Sequence, residues 1–367
     1  MAATAATSPL REQIARERQP ERQERLVEFD YLRGISIALI VLGHSIFLAQ
    51  PEFPALLENL LRGGTGLFVF ISGFFFHRVF YARFNYSKFI AKKASGLLIP
   101  FVLISLFALL LRMLGWWLDG INWREIALYS WYTVRNLYVL YPHWYIPFIF
   151  LTFLCSPLHW LYIRARLPMQ LIVLAAFFLI AIFLHRPQSN ANFVQSLVYF
   201  TPYYLLGMLV SLYHTQLRKQ HWPLLILSMA LVTITALAQT YVWIRLGNYH
   251  KAAFTYDGVD LQFIQTFFAC IALLALCRHL HWPWLQRHLS WLAELSFPIF
   301  FIHPLLTLAL ENLVRLKPIA PFFPVATPGQ SLLVFILVFL IQFYGSAAIA
   351  LALKKLLGSR SRLFIGQ

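Results

Sequence analysis

The chain has 367 residues, of which 60% are hydrophobic and only 12% charged, with a mean hydropathy of +0.66. A water-soluble domain carries about 25% charged residues, so the composition excludes a soluble enzyme or binding module of this length. The formal net charge of +16 raises nucleic-acid binding, but in an apolar chain membrane topology and anionic lipid account for it first.

Residues 1–28 form a polar, charged arm. No apolar run precedes the first hydrophobic segment, so no cleavable signal peptide is expected. Beyond it, apolar runs recur at the ~17–25 residues that cross ~30 Å of hydrocarbon. Ten spans are predicted, at 31–50, 64–83, 95–118, 143–163, 170–185, 196–214, 222–244, 259–280, 294–314 and 329–357. The glycine-rich start of the second (GGTG, Gly63–Gly66) reads as a turn, since no GK[ST] follows it. The aromatic, amphipathic stretch 119–142 is expected at the interface or dipping into it. Cys155, Cys270 and Cys277 all fall in apolar runs and read as small buried hydrophobes. No CxxC or HExxH spacing is present, so no metal site is expected.

With the N-terminus inside, 21 of the 30 Lys and Arg fall on the inner side and 9 on the outer, the asymmetry of a multi-pass protein with both ends cytoplasmic. The expected fold is all-α and polytopic. A cytoplasmic arm (1–28) leads into a transmembrane domain (29–358), and a short cytoplasmic tail (359–367) follows.

The first span, FDYLRGISIALIVLGHSIF, carries Arg33 and His44, eleven residues apart. At ~100° per residue they lie within ~20° of one helix face, about 16 Å apart along the axis. Arg33 offers a planar fork suited to phosphate, and His44 is the side chain best suited to move protons near neutral pH. An arginine at a helix end also serves as an anchor, and a lone intramembrane histidine can be a core hydrogen-bonding residue. Ionisable groups at depth are costly, and their shared face makes the pair more informative than either member.

These residues, in a helix opening DYLRGISIALIVLGHS, resemble the start of the membrane acyltransferase-3 family. Further stretches resemble that family in order: GGTGLFVFISGFFF (Gly63–Phe76), FIAKKASGLLIPF (Phe89–Phe101), HWYIPFIF (His143–Phe150) and LAELSFPIFFIHPLL (Leu292–Leu306). The likeness runs from about residue 29 to 357. It is greatest to the stand-alone members that act on cell-surface polysaccharides, such as the intercellular-adhesin acyltransferase.

The resemblance implies transfer of an acetyl or succinyl group from cytoplasmic acyl-CoA, a co-substrate and not a bound cofactor. The acceptor is a hydroxyl of an envelope or secreted polysaccharide, and the setting is the bacterial inner membrane. It implies His44 as the catalytic centre, and Arg33, Lys88, Lys92, Lys93 and Ser72 as donor contacts. The basic cluster has lysines where the family shows arginines, which removes the bidentate fork. Ser72 and amides around Gly73 are oxyanion candidates or, alternatively, helix-packing positions. His303 and Glu311 mark a second polar site or, alternatively, a helix kink with a satisfied histidine and a plain interface carboxylate, and His143, Trp144 and Tyr145 an acceptor contact or an aromatic belt. Lipid, a carbohydrate acceptor and a polysaccharide synthase complex are the implied partners. Two other readings stay open at this stage: an exporter, which predicts paired broken helices and acids at depth, and a structural subunit of a synthase.

Overall fold

The structure, a computed structural model, describes residues 26–315 and 327–366. The expectations for the arm up to residue 25 lie outside these residues.

Helix dominates because a backbone in hydrocarbon must satisfy its own hydrogen bonds. The chain opens with α1 (Val27–Ser45), followed by a short 3₁₀ turn to Ala49 and then α2 (Ala55–Leu61). Next come α3 (Gly64–Phe75), α4 (Tyr86–Leu118), the surface helix α5 (Trp123–Arg135), α6 (Tyr145–Leu154), α7 (Ser156–Arg164) and α8 (Leu167–Leu184). The second half contains α9 (Phe193–Leu212), α10 (His214–Lys219), α11 (His221–Leu237), α12 (Leu261–Cys277), α13 (Pro283–Arg315), α14 (Pro328–Leu357) and α15 (Ser361–Ile365). Two residues of β1 (Arg186–Pro187) pair in parallel with two of β2 (His250–Lys251).

Among the described residues, eight helical segments are long and apolar enough to cross a membrane. The α6–α7 pair makes a ninth, and α12, shorter but apolar, lies at the eighth of the ten expected spans, 259–280. The fourth predicted span is therefore not one rod. It bends by 54° where Pro157 at the start of α7 cannot continue the hydrogen-bond ladder. Stretch 119–142 contains α5, whose Trp123 and Trp131 are exposed and whose Ile126 is its one buried side chain. The tail folds back on the bundle, with Ile365 fully buried and α15 packed on α4, α13 and α14.

Inner and outer layers separate by burial. Helices α13, α9 and α1 are more than half buried, whereas α4, α8 and α11 are less than a third. Lipid is as apolar as leucine, so close packing has to hold the inner helices together. Helices α3 and α9 meet at glycines. A Cβ on Gly73 would stand 2.1 Å from the Tyr204 carbonyl oxygen, and one on Gly207 would stand 2.0 Å from that of Phe70. The central helix, α1, packs on α3, α12, α13 and α14, which brings α13 beside both its polar residues.

Candidate active site

Helix α1 begins at Val27, so Arg33 lies six residues inside it and His44 one residue before its end. The two sit at similar distances on either side of the middle of the Val27–Ala49 span. Near Arg33, Gly34 lets α13 approach so closely that a Cβ would be 2.6 Å from the Leu289 carbonyl oxygen. That contact brings Ser296 within 3.3 Å of an Arg33 Nη2. The Ser296 hydroxyl donates to the Ala293 carbonyl, so its oxygen accepts from the guanidinium.

At the other end, His44 Nδ1 lies 3.1 Å from Nε2 of His303 on α13. The protonation pattern follows from the surroundings. His303 Nδ1 is 2.8 Å from the Ile299 carbonyl. A carbonyl only accepts, so that nitrogen carries the proton. In a neutral His303, Nε2 is then the acceptor, and His44 Nδ1 must donate to it. The relay leaves the lone pair of neutral His44 on Nε2. That nitrogen makes no hydrogen bond to the described residues, and the ring lines a cavity. The Tyr141 ring packs edge-on against His44 at 4.4 Å.

A second polar chain fixes the helices around this pair. The Thr307 hydroxyl donates to the His303 carbonyl (3.0 Å), so it accepts from both Tyr141 (2.8 Å) and Gln342 (2.8 Å). Gln342 in turn accepts from Ser45 at 3.0 Å. Arg62 donates to the Gly43 carbonyl at 3.0 Å and pairs with Glu58 at 2.6 Å. Partners from α1, α2, α13 and α14 thus hold the turn that carries His44. Polar groups this deep have to be satisfied among themselves.

Three cavities reach this region. The first, about 250 Å³, is lined by His44, Arg62, Trp144, Arg186, Tyr199 and Asn248, among others. The second, about 380 Å³ and more apolar, holds Arg33, Ser72, Lys92, Lys93 and Ser296. Ile40, Tyr145 and Phe300 line both, so the two meet at a constriction one helical turn from His44. The third, about 370 Å³, reaches His44 past Tyr141, Thr307 and Glu311.

The predicted residues therefore divide. Arg33, Ser72, Lys92 and Lys93 share the second cavity, with the Lys93 ammonium 4.6 Å from the Phe153 ring. Lys88 is exposed and lines none of the three. Trp144 and Tyr145 face the first cavity, whereas His143 points away, buried against Ser105 (3.1 Å) and Phe101 of α4. Glu311 joins the third cavity. The Gly73 amide lies inside α3, where the helix ladder consumes it, and Ser72 does not line the His44 cavity. Both observations favour packing over oxyanion binding at ISGF. The loop beyond α11 sends Asn248 and His250 into the first cavity. In the same loop region Arg245 grips Asp257 at 2.6 and 2.8 Å and holds that carboxyl below its usual range. Sequence reasoning missed Arg62, Arg186, Tyr141, Thr307 and Gln342. Only the depth of Gln342 and Thr307 within apolar runs signalled them.

The fold and site define a multi-pass membrane protein with a histidine pair, His303 buried and His44 facing a cavity, where separate cavities meet. A family model described as an acyltransferase domain matches residues 26–351, nearly the whole chain. The protein belongs to the acyltransferase-3 family and is an acyltransferase for groups other than aminoacyl groups. No curated protein and no solved structure matches the chain.

Proposed function

We propose that this protein moves an acetyl or succinyl group from cytoplasmic acyl-CoA, across the bacterial inner membrane, to a hydroxyl of an envelope or secreted polysaccharide. The observation that carries the reading is the meeting of two unlike cavities beside His44. One cavity holds Arg33, Lys92 and Lys93 against apolar walls, which suits a phosphate-bearing donor with a long acyl-carrying arm. The other is polar and aromatic, which suits a carbohydrate. The positive-inside rule supports a cytoplasmic side for the cavity that holds Arg33, Lys92 and Lys93.

In this reading the donor's arm extends from Arg33 to the constriction and presents its thioester beyond Ile40. The acceptor hydroxyl stands in the polar cavity, and His44 Nε2 takes its proton as the oxygen attacks the thioester carbonyl. The new C–O bond forms, the C–S bond breaks, and the thiolate takes the proton back from His44. His303 accepts from His44 Nδ1–H and holds the ring with Nε2 toward the acceptor, the orienting role that a third group plays in a nucleophile–base arrangement. Exporters of the inverted-repeat kind show corresponding broken helices in two halves. Among the described residues one span is sharply broken, at α6–α7.

Purified protein given labelled acetyl-CoA and succinyl-CoA, wild type beside His44→Ala, tests the proposal. Free CoA released by wild type alone supports it and names the donor. If neither protein consumes a donor in the presence of oligosaccharides, the enzyme reading fails.

A further inference from the structure

The polar cavity holds two guanidinium groups, and they differ. Arg62 is answered by Glu58 at 2.6 Å. Arg186 is 7% exposed, and among the described residues no carboxylate lies within ion-pair distance of it. Its Nε is buried without a hydrogen-bond partner. Its side-chain neighbours are rings: the guanidinium carbon is 5.0 Å from the Trp144 centroid and 5.5 Å from that of Phe200. The nearby carboxylate of Asp260 is already used, accepting from the Tyr199 hydroxyl (2.9 Å) and the Phe263 amide (2.7 Å).

The backbone holds Arg186 in this place. Helix α8 ends at Leu184, and the next residue, His185, takes a positive φ of 57° that stops the helix. The Arg186 amide then bonds to the Tyr249 carbonyl (3.1 Å), and β1 pairs with β2. A buried cation with no carboxylate in direct contact is costly. Stacking on aromatic faces offsets part of that cost and leaves the planar fork for a ligand.

We propose that Arg186 is a carboxylate-binding subsite of the transfer cavity, completed by an anionic group on one of the substrates. This rests on the acyltransfer reading above. A carboxylate can come from an acidic sugar in the acceptor or from the free end of a dicarboxylic acyl group, and both meet Arg186 in the same cavity as His44.

Two matched ligand pairs test it on the full chain in detergent. One pair is trigalacturonate and the same trisaccharide with its carboxyls reduced to alcohols. The other is succinyl-CoA and butyryl-CoA. In one pair the charged member binds wild type at least about tenfold more tightly, as a charge-assisted bidentate bond predicts. Arg186→Gln erases that difference, and Arg186→Lys keeps part of it. A preference in the first pair puts the anion on the acceptor, and one in the second puts it on the acyl group. Either result upholds the subsite. Equal binding within both pairs by wild type overturns it whatever any variant does, as does a preference that survives Arg186→Gln. His44-dependent consumption of acyl-CoA, measured alongside, separates the claims. Consumption without charge preference removes the subsite alone; no consumption removes the acyltransfer reading.

Discussion

His44 Nδ1 lies 3.1 Å from His303 Nε2, and His303 Nδ1 lies 2.8 Å from the Ile299 carbonyl. A single direction of hydrogen bonds satisfies both contacts in the neutral pair, and it exposes a basic nitrogen on His44 to the cavity. On the proposed mechanism His303, 259 positions away in sequence, is a positioning residue. His44→Ala should abolish transfer. His303→Ala should lower kcat by about 10²–10⁴ with little change in donor KM, the size of effect that orientation of a general base carries. His303→Gln, whose amide oxygen can accept from His44, should recover part of the loss. Steady-state kinetics of the three variants decide it, and a loss confined to KM counts against the relay.

Arg33 acts by a different route. It faces the cavity with Lys92 and Lys93 and is steadied by Ser296. Arg33→Ala should raise the donor KM or Kd about 10–100-fold, the range for a lost hydrogen bond to a charged group, and leave kcat far less changed. Lys88→Ala, on an exposed residue, should be near neutral. Binding isotherms with acyl-CoA read both.

The constriction of Ile40, Tyr145 and Phe300 separates the two cavities. Tyr145→Leu widens it and admits water to the thioester. Donor hydrolysis should rise relative to acyl transfer, measured as free CoA released per acylated product. An unchanged ratio would show that Tyr145 is only a wall residue.

Packing of α3 on α9 depends on two glycines that face backbone carbonyls. Gly73→Ala or Gly207→Ala should destabilise the protein by about 1–3 kcal/mol or more, as overpacking does. Gly329→Ala, with nothing within 4 Å of the added Cβ, is the control. Thermal melting in detergent compares them.

The spans were legible because hydropathy alone sets helix length in hydrocarbon, and Arg33 with His44 was legible because one helix carries both at face-matching spacing. His303 could be found beside Pro304 but not paired, since only the packing of α13 on α1 brings it to His44. Arg186 looked like ordinary loop charge until the turn at His185 placed it against Trp144. His143 was misplaced for a related reason. Its position at a span start suggests the aqueous rim, while the backbone turns it toward Ser105. The bend at Pro157 was missed because hydropathy is continuous across it.

Vectorial transfer tests the central claim most directly. Proteoliposomes with labelled acyl-CoA sealed inside and oligosaccharide outside should yield labelled oligosaccharide outside with wild type, and none with His44→Ala. Label on the acceptor only when donor and acceptor share one compartment would contradict the account of two cavities joined at His44.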